Sequence, residues 1–229
     1  MKKGVFLLTL FSVTMFCVGC VSKLDFLARQ NISEYRQCLF VSSGESFVAT
    51  FTCGKRECSY NYDGVSNKLV DFGVLSIKYT TKLNLDNMPQ YLLFIDTMQY
   101  EGVFEFNPID NTYVADICKN ISSYADIYLR VYGGGVDEQM KMICVSNSWK
   151  INYKQAFDIA IGCFEPILKC QVQKNKVNGE FFVKIVGENL ENIFDICWYV
   201  GYVGQDDTVL ACIINVNTGE IVAHKSQTK

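Results

Sequence analysis

Phe47-Val48-Ala49-Thr50-Phe51-Thr52-Cys53 decides the fold class of the larger part of this chain. Phe47, Ala49, Phe51 and Cys53 stand at every second position, with Val48, Thr50 and Thr52 between them. That period puts each set of side chains on its own face of a half-buried strand. The same alternation recurs downstream in Leu75, Ile77 and Tyr79, in Leu93 and Ile95, and in Phe104 and Phe106. It continues in Tyr113, Ala115 and Ile117, in Ile127, Leu129 and Val131, and in Met140, Met142 and Cys144. Turn formers separate the runs: Ser42-Ser43-Gly44, Asp63-Gly64, Asn107-Pro108, Asp110-Asn111 and Gly133-Gly134-Gly135. About seven or eight short strands with no helical period predict an all-β, Ig-like sandwich over residues 34–146.

The period changes at Ser146. Asn152 followed by Gln155 forms a capping-box pattern, and Tyr153, Ala156, Phe157, Ala160, Ile161, Phe164 and Leu168 then repeat at three and four. This predicts one helix with a single buried face, kinked or ended by Gly162 and Pro166. A polar loop follows over residues 174–179. Three strands are expected over about 180–186, 195–203 and 208–216. A short return over 220–224 comes after Asn217-Thr218-Gly219, a turn whose glycine takes positive φ. The chain thus reads as mainly β with an α+β end, the small α-β-β-β module occupying residues 147–229.

Two resemblances attach to these runs. The closing Ile213-Ile214-Asn215-Val216-Asn217-Thr218-Gly219-Glu220-Ile221-Val222, with the strand Cys197-Trp198-Tyr199-Val200, resembles a PepSY-type, cystatin-like module over about residues 149–225. Asn215 stands where that family commonly has aspartate. The resemblance implies a regulatory or inhibitory module of a secreted peptidase. The earlier half, through Gly54-Lys55-Arg56-Glu57, Tyr62-Asp63-Gly64 and Val70-Asp71-Phe72-Gly73-Val74-Leu75, resembles uncharacterised envelope lipoproteins of anaerobic Gram-positive bacteria, and that likeness implies no activity.

The amino terminus gives an address. Lys2 and Lys3 precede an apolar run over residues 5–18, of h-region length and short of a bilayer span. Cys17-Val18-Gly19-Cys20 resembles a bacterial lipobox, with Cys17 where leucine is usual. Cys20 is therefore expected to carry lipid as the first residue of the mature chain. Residues 1–19 are then the signal peptide and 20–33 a tether, holding the sandwich near the extracytoplasmic face of the cell membrane. Cys17 and Gly19 also fit the small-x-small site of ordinary secretion, and an uncleaved anchor is a third reading.

Composition narrows the partners. The 229 residues carry a formal charge of −3. Removing residues 1–19 takes away Lys2 and Lys3 and no acid, which gives −5. No basic run suggests nucleic acid. With Cys17 removed and Cys20 acylated, nine of the eleven cysteines remain, an odd number. Most occupy apolar positions of strand-like or helix-like runs and read as buried thiols, as in a reducing or anaerobic habitat. Cys53–Cys58 and Cys163–Cys170 are the local disulfide candidates. None of the nine is spaced C-x-x-C and the chain has one histidine, so no metal site is expected.

Little of the sequence suggests catalysis. His224 lies near the carboxyl end and reads as a solvated residue, since a general base needs a partner to orient its ring. No Gly-x-Ser-x-Gly elbow occurs. Gly133-Gly134-Gly135 lacks the lysine and helix of a phosphate loop and reads as a hairpin. Asp206-Asp207 supplies too few oxygens for calcium alone. Asn31-Ile32-Ser33 and Asn120-Ile121-Ser122 match short sequons by chance. Tyr60 and Tyr62 near Arg56, and Tyr199 and Tyr202 on opposite sides of one strand, read either as contact surface or as packing. The expectation is a non-catalytic lipoprotein without cofactor or metal, held to the membrane through Cys20 and binding an envelope protein or peptide. A peptidase regulator is the alternative, and an envelope hydrolase the reading from another class.

Overall fold

Every alternating run except Phe104 and Phe106, where Phe104 falls between two strands, becomes a strand in the computed structural model, which describes residues 23–57, 69–80, 88–119, 121–187 and 196–228. The signal peptide, Cys20, Cys58, Tyr60, Tyr62 and Asn120 lie outside the described residues. After helix α1 (Lys23–Arg29) come β1 (Ile32–Ser43), β2 (Phe47–Glu57) and β3 (Leu69–Tyr79). Then follow β4 (Gln90–Ile95), β5 (Met98–Val103), β6 (Glu105–Asn107), β7 (Thr112–Ile117), β8 (Ile127–Gly133) and β9 (Val136–Cys144). Helix α2 (Tyr153–Gln171) leads to a two-residue hairpin, β10 (Val172–Gln173) and β11 (Lys176–Val177). The chain ends in β12 (Gly179–Val186), β13 (Cys197–Gly204), β14 (Val209–Asn215) and β15 (Ile221–Gln227).

Thirteen of these strands join in one sheet, antiparallel except where β1 meets β12. The sheet curls until it nearly closes. From β1 one path runs through β2, β3, β7 and β6, and another through β9, β8, β4 and β5. The two ends are continuous chain, because β5 and β6 are separated only by Phe104. Phe104 is buried and its amide donates to the Pro89 carbonyl at 3.0 Å. An open pair of stacked sheets was expected for residues 34–146. The bend at Phe104, which carries one strand from the β4 side to the β7 side, makes a barrel-like enclosure instead. Among the described residues the result is a mixed α and β fold dominated by this nearly closed sheet, with two α-helices.

The inward set of each alternation fills the enclosure: Phe40, Phe47, Phe51, Leu75, Ile77, Leu93, Ile127 and Leu129 are all buried in one cluster. A second cluster lies between the helices and the meander β12–β13–β14, where Phe157, Phe164, Phe181, Trp198 and Tyr202 pack together. β1 serves both. Cys38 and Phe40 point into the barrel core, while Leu39, fully buried, belongs to the helix-backed core. Period two allows this only because β1 is covered on both faces.

Residues 23–33 are not a free tether. Leu24, Leu27 and Ala28 of α1 are buried in the helix-backed core, Arg29 pairs with Asp158 of α2, and β1 begins at Ile32. Spacings of three and four in Leu24, Leu27 and Ala28 give α1 its apolar face.

The capping box forms as expected. Asn152 Oδ1 accepts from the Lys154 and Gln155 amides at 3.0 and 3.1 Å, and Gln155 Oε1 accepts from the Asn152 amide at 2.9 Å. α2 does not stop at Gly162 or Pro166 and runs on to Gln171. Both residues are on the exposed side, so the Gly162 carbonyl, which loses its donor to Pro166, faces water. Nothing lies within 4 Å of a Cβ built on Gly162. Gly162→Ala is therefore expected to stabilise the protein by roughly 0.5–1 kcal/mol. A urea midpoint raised with unchanged slope is the readout.

Candidate functional site

A concavity lies on the outer face of the barrel. It is an open groove of about 600 Å³, floored by the outward side chains of β2, β3 and β7 and walled by Ile185, Val186 and Gly187 at the end of β12. The strand register makes the floor a grid. Val48 lies opposite Lys78, Thr50 opposite Ser76, and Thr52 opposite Val74. Ser76 is also opposite Val114 of β7. Thr112, Asn107 and Asp110 close the far end.

Hydroxyls and short branched side chains dominate this floor. Val48 and Thr52 are buried, although their strand positions point out of the barrel. Arg36 crosses the near wall, where Nη1 donates to Thr52 Oγ1 at 2.7 Å and Nε to Glu34 Oε1 at 3.3 Å. Lys184 of β12 stands 3.7 Å from the other Glu34 oxygen. At the far end Asn107 Nδ2 donates to Asp110 Oδ2 at 3.0 Å. Lys78 is exposed and forms no ion pair among the described residues. The groove offers hydrogen-bonding hydroxyls, apolar methyls and the Lys78 ammonium group.

The residues singled out from sequence are dispersed. His224 lies on β15, an edge strand exposed along its whole length, opposite Cys212 of β14. Gly133-Gly134-Gly135 makes the β8–β9 hairpin, all three at positive φ. Asp206 is a structural carboxylate. It accepts from Gln171 Nε2 at 2.9 Å and from the Thr208 amide at 3.0 Å, and these bonds hold it below the usual carboxylate range. Asp207 takes φ 65 in the same turn. Asn31 Nδ2 donates to the Leu27 carbonyl at 2.8 Å and closes α1. Arg56 binds Asp116 at 3.1 Å and lies 4.9 Å from the Phe72 ring. Tyr202 is core, its hydroxyl donating to the Asn178 carbonyl at 2.9 Å, and burial followed by the charge of Asp206 pushes it up to about 12. Tyr199, on the other face of β13, is half-buried.

The described thiols follow the reading of unbridged cysteines, and of the two local disulfide candidates only Cys163–Cys170 lies wholly within the described residues. None of the eight described cysteines forms a disulfide. Cys163 and Cys170 both sit on α2 without a bond between them. Cys38 and Cys53 are opposite one another on β1 and β2, with both sulfurs close to the Ile121 carbonyl, at 3.5 and 3.4 Å. The hydrogen bond with Cys53, and then burial, push the Cys38 thiol up. In the helix-backed core, burial and then the neighbouring Cys163 thiol push Cys212 up to about 12. Cys38 and Cys212 therefore stay protonated and act as small apolar groups. Among the described residues no group of three or more His, Cys, Asp or Glu is placed to hold a metal ion.

Reading the sequence for catalytic residue types missed the groove. A signal was present: Val48, Thr50 and Thr52, with Val74 and Ser76, are outward positions occupied by β-branched and hydroxyl residues where a solvated face carries charge. No protein-family model, curated protein or solved structure matches this chain.

Proposed function

We propose that this chain is a non-catalytic bacterial envelope lipoprotein, held to the extracytoplasmic face of the membrane by lipid on Cys20, that binds an extended segment of a protein or peptide partner. The groove carries this reading. Its volume of about 600 Å³ suits a short segment, and its hydroxyls stand at the two-residue repeat of an extended backbone. Those groups can exchange hydrogen bonds with main-chain amides while the valine methyls take small side chains. Lys78 favours a segment with an acidic residue at the mouth.

The regulator reading, in which a PepSY-like end acts on an envelope peptidase, draws on a different feature. Among the described residues β15 pairs with β14 alone, and its other edge is a template for strand addition.

Photo-crosslinking in envelope preparations separates the two. A crosslinker at Ser76 is expected to capture one peptide segment well above the background from exposed Gln139 on β9. Lys78→Glu is expected to weaken that capture about tenfold, the size of one rim charge reversed. Capture of a peptidase from position 225 and not from Ser76 supports the regulator. Equal, diffuse labelling at all three positions removes the binding proposal.

A further inference from the structure

The docking of α1 fixes which face of the protein can meet a membrane. Only residues 21 and 22 separate Cys20 from Lys23. An extended chain covers about 3.5 Å per residue, so the start of α1 stays within roughly 10 Å of the Cys20 backbone. α1 itself cannot swing away, because its apolar face is buried, Arg29 holds Asp158 and Lys23 Nζ donates to Asn175 Oδ1 at 2.7 Å. The surface around its first turn and around the tip of the β10–β11 hairpin therefore sits beside any anchor on Cys20.

We propose that this surface, formed by Lys23, Phe26, Lys174 and Lys176, rests in the headgroup layer of an anionic bilayer. The inference depends on Cys20 being acylated. Lys23 and Phe26 share the outer face of α1, three residues apart, and Phe26 is 57% exposed. Lys174 and Asn175 form the hairpin tip at φ 48 and 60, with exposed Lys176 beside them. An exposed aromatic ring among lysines is what an interfacial contact uses, the ring in the headgroup region and the ammonium groups on the lipid phosphates. The neighbouring acids do not outweigh it. Asp158 is paired with Arg29 and Asp25 is engaged within the protein, while Asp206 keeps its charge, a single carboxylate against three lysines. The mature chain carries −5 overall, so an anionic bilayer repels most of its surface and selects this patch.

The barrel is then the distal part, contrary to the sequence expectation that it lies nearest the membrane. β12 starts two residues after β11 and ends at the groove, and eight residues of strand span roughly 25 Å. The groove wall is held at that distance along the strand from the membrane-facing hairpin.

Amine footprinting tests this with the purified full-length mature protein. The chain is labelled with a membrane-impermeant amine reagent, in detergent and on phosphatidylglycerol-containing vesicles, then mapped by mass. Lys23, Lys174 and Lys176 are expected to react several-fold more slowly on vesicles, with Lys55, Lys78, Lys141 and Lys225 unchanged. Intact mass reads the acyl group on Cys20 separately. Without the acyl group both the anchor and the docking fall. An acylated chain that protects the barrel lysines, or protects none, overturns the docking and leaves the anchor standing.

Discussion

Gly54→Ala is expected to cost roughly 3 kcal/mol or more and to leave little folded protein at 37 °C, from a single methyl group. Gly54 lies on β2 opposite Arg36, where the register of β1 slips between Arg36 and Cys38. A Cβ built there runs into the Tyr35 carbonyl oxygen, with Arg36 Cα at 2.8 Å and the Tyr35 carbonyl carbon at 2.9 Å. All three are backbone atoms, so no rotamer change relieves the contact. β1 has to move, and it cannot move alone. It pairs with β2, with β12 and with β9, and Tyr35 stacks on Tyr153 of α2 with ring centroids 4.6 Å apart. Urea denaturation beside Gly162→Ala gives a matched comparison, the same atoms added with the opposite sign expected. A Gly54→Ala midpoint within error of the parent would show that β1 and β2 do not approach so closely.

Local chemistry was legible in the sequence wherever one element decides its own structure. Period two placed the inward faces of β2, β3, β4, β7, β8 and β9, and Asn152 with Gln155 placed the start of α2. Asn217-Thr218-Gly219 marked the β14–β15 turn, where Gly219 takes φ 77. What escaped depends on neighbours distant in sequence. β5 is exposed or half-buried throughout, so its residues carry no alternation strong enough to announce a strand. α1 is seven residues long, too short for its period to stand out from a polar linker. Pro166 reads as a helix breaker until the exposed side of α2 is known. The closure at Phe104 and the sharing of β1 are consequences of pairing, and no window of sequence contains them. The groove belongs to the same class: Thr50, Ser76 and Val114 become one surface only through the register of three strands.

The shared strand predicts that the barrel and the helix-backed core unfold together. Phe51 is fully buried in the barrel, its ring 6.2 Å from that of Phe40, so Phe51→Ala is expected to cost about 3–5 kcal/mol. The reporter lies elsewhere. The chain has two tryptophans, Trp149 and Trp198, and both pack in the helix-backed core. Their rings meet edge to face at 5.3 Å, and Trp198 Nε1 donates to the Ile151 carbonyl at 2.8 Å. Tryptophan fluorescence thus reads the core that Phe51 does not touch, while far-UV circular dichroism reads the whole sheet. If residues 34–146 and 147–229 were independent modules, Phe51→Ala would leave the fluorescence midpoint in place and split the dichroism curve into two steps. β1 argues otherwise. Collapse of the barrel releases β1, which strips fully buried Leu39 from the second core and removes the parallel partner of β12. The amides and carbonyls of that β12 edge then lose their bonds beside a core that has lost one wall. Native stability is of order 5–15 kcal/mol, so a loss of this size moves the transition far enough to measure. The fluorescence and dichroism midpoints are expected to fall together by the same amount, as one cooperative unit requires.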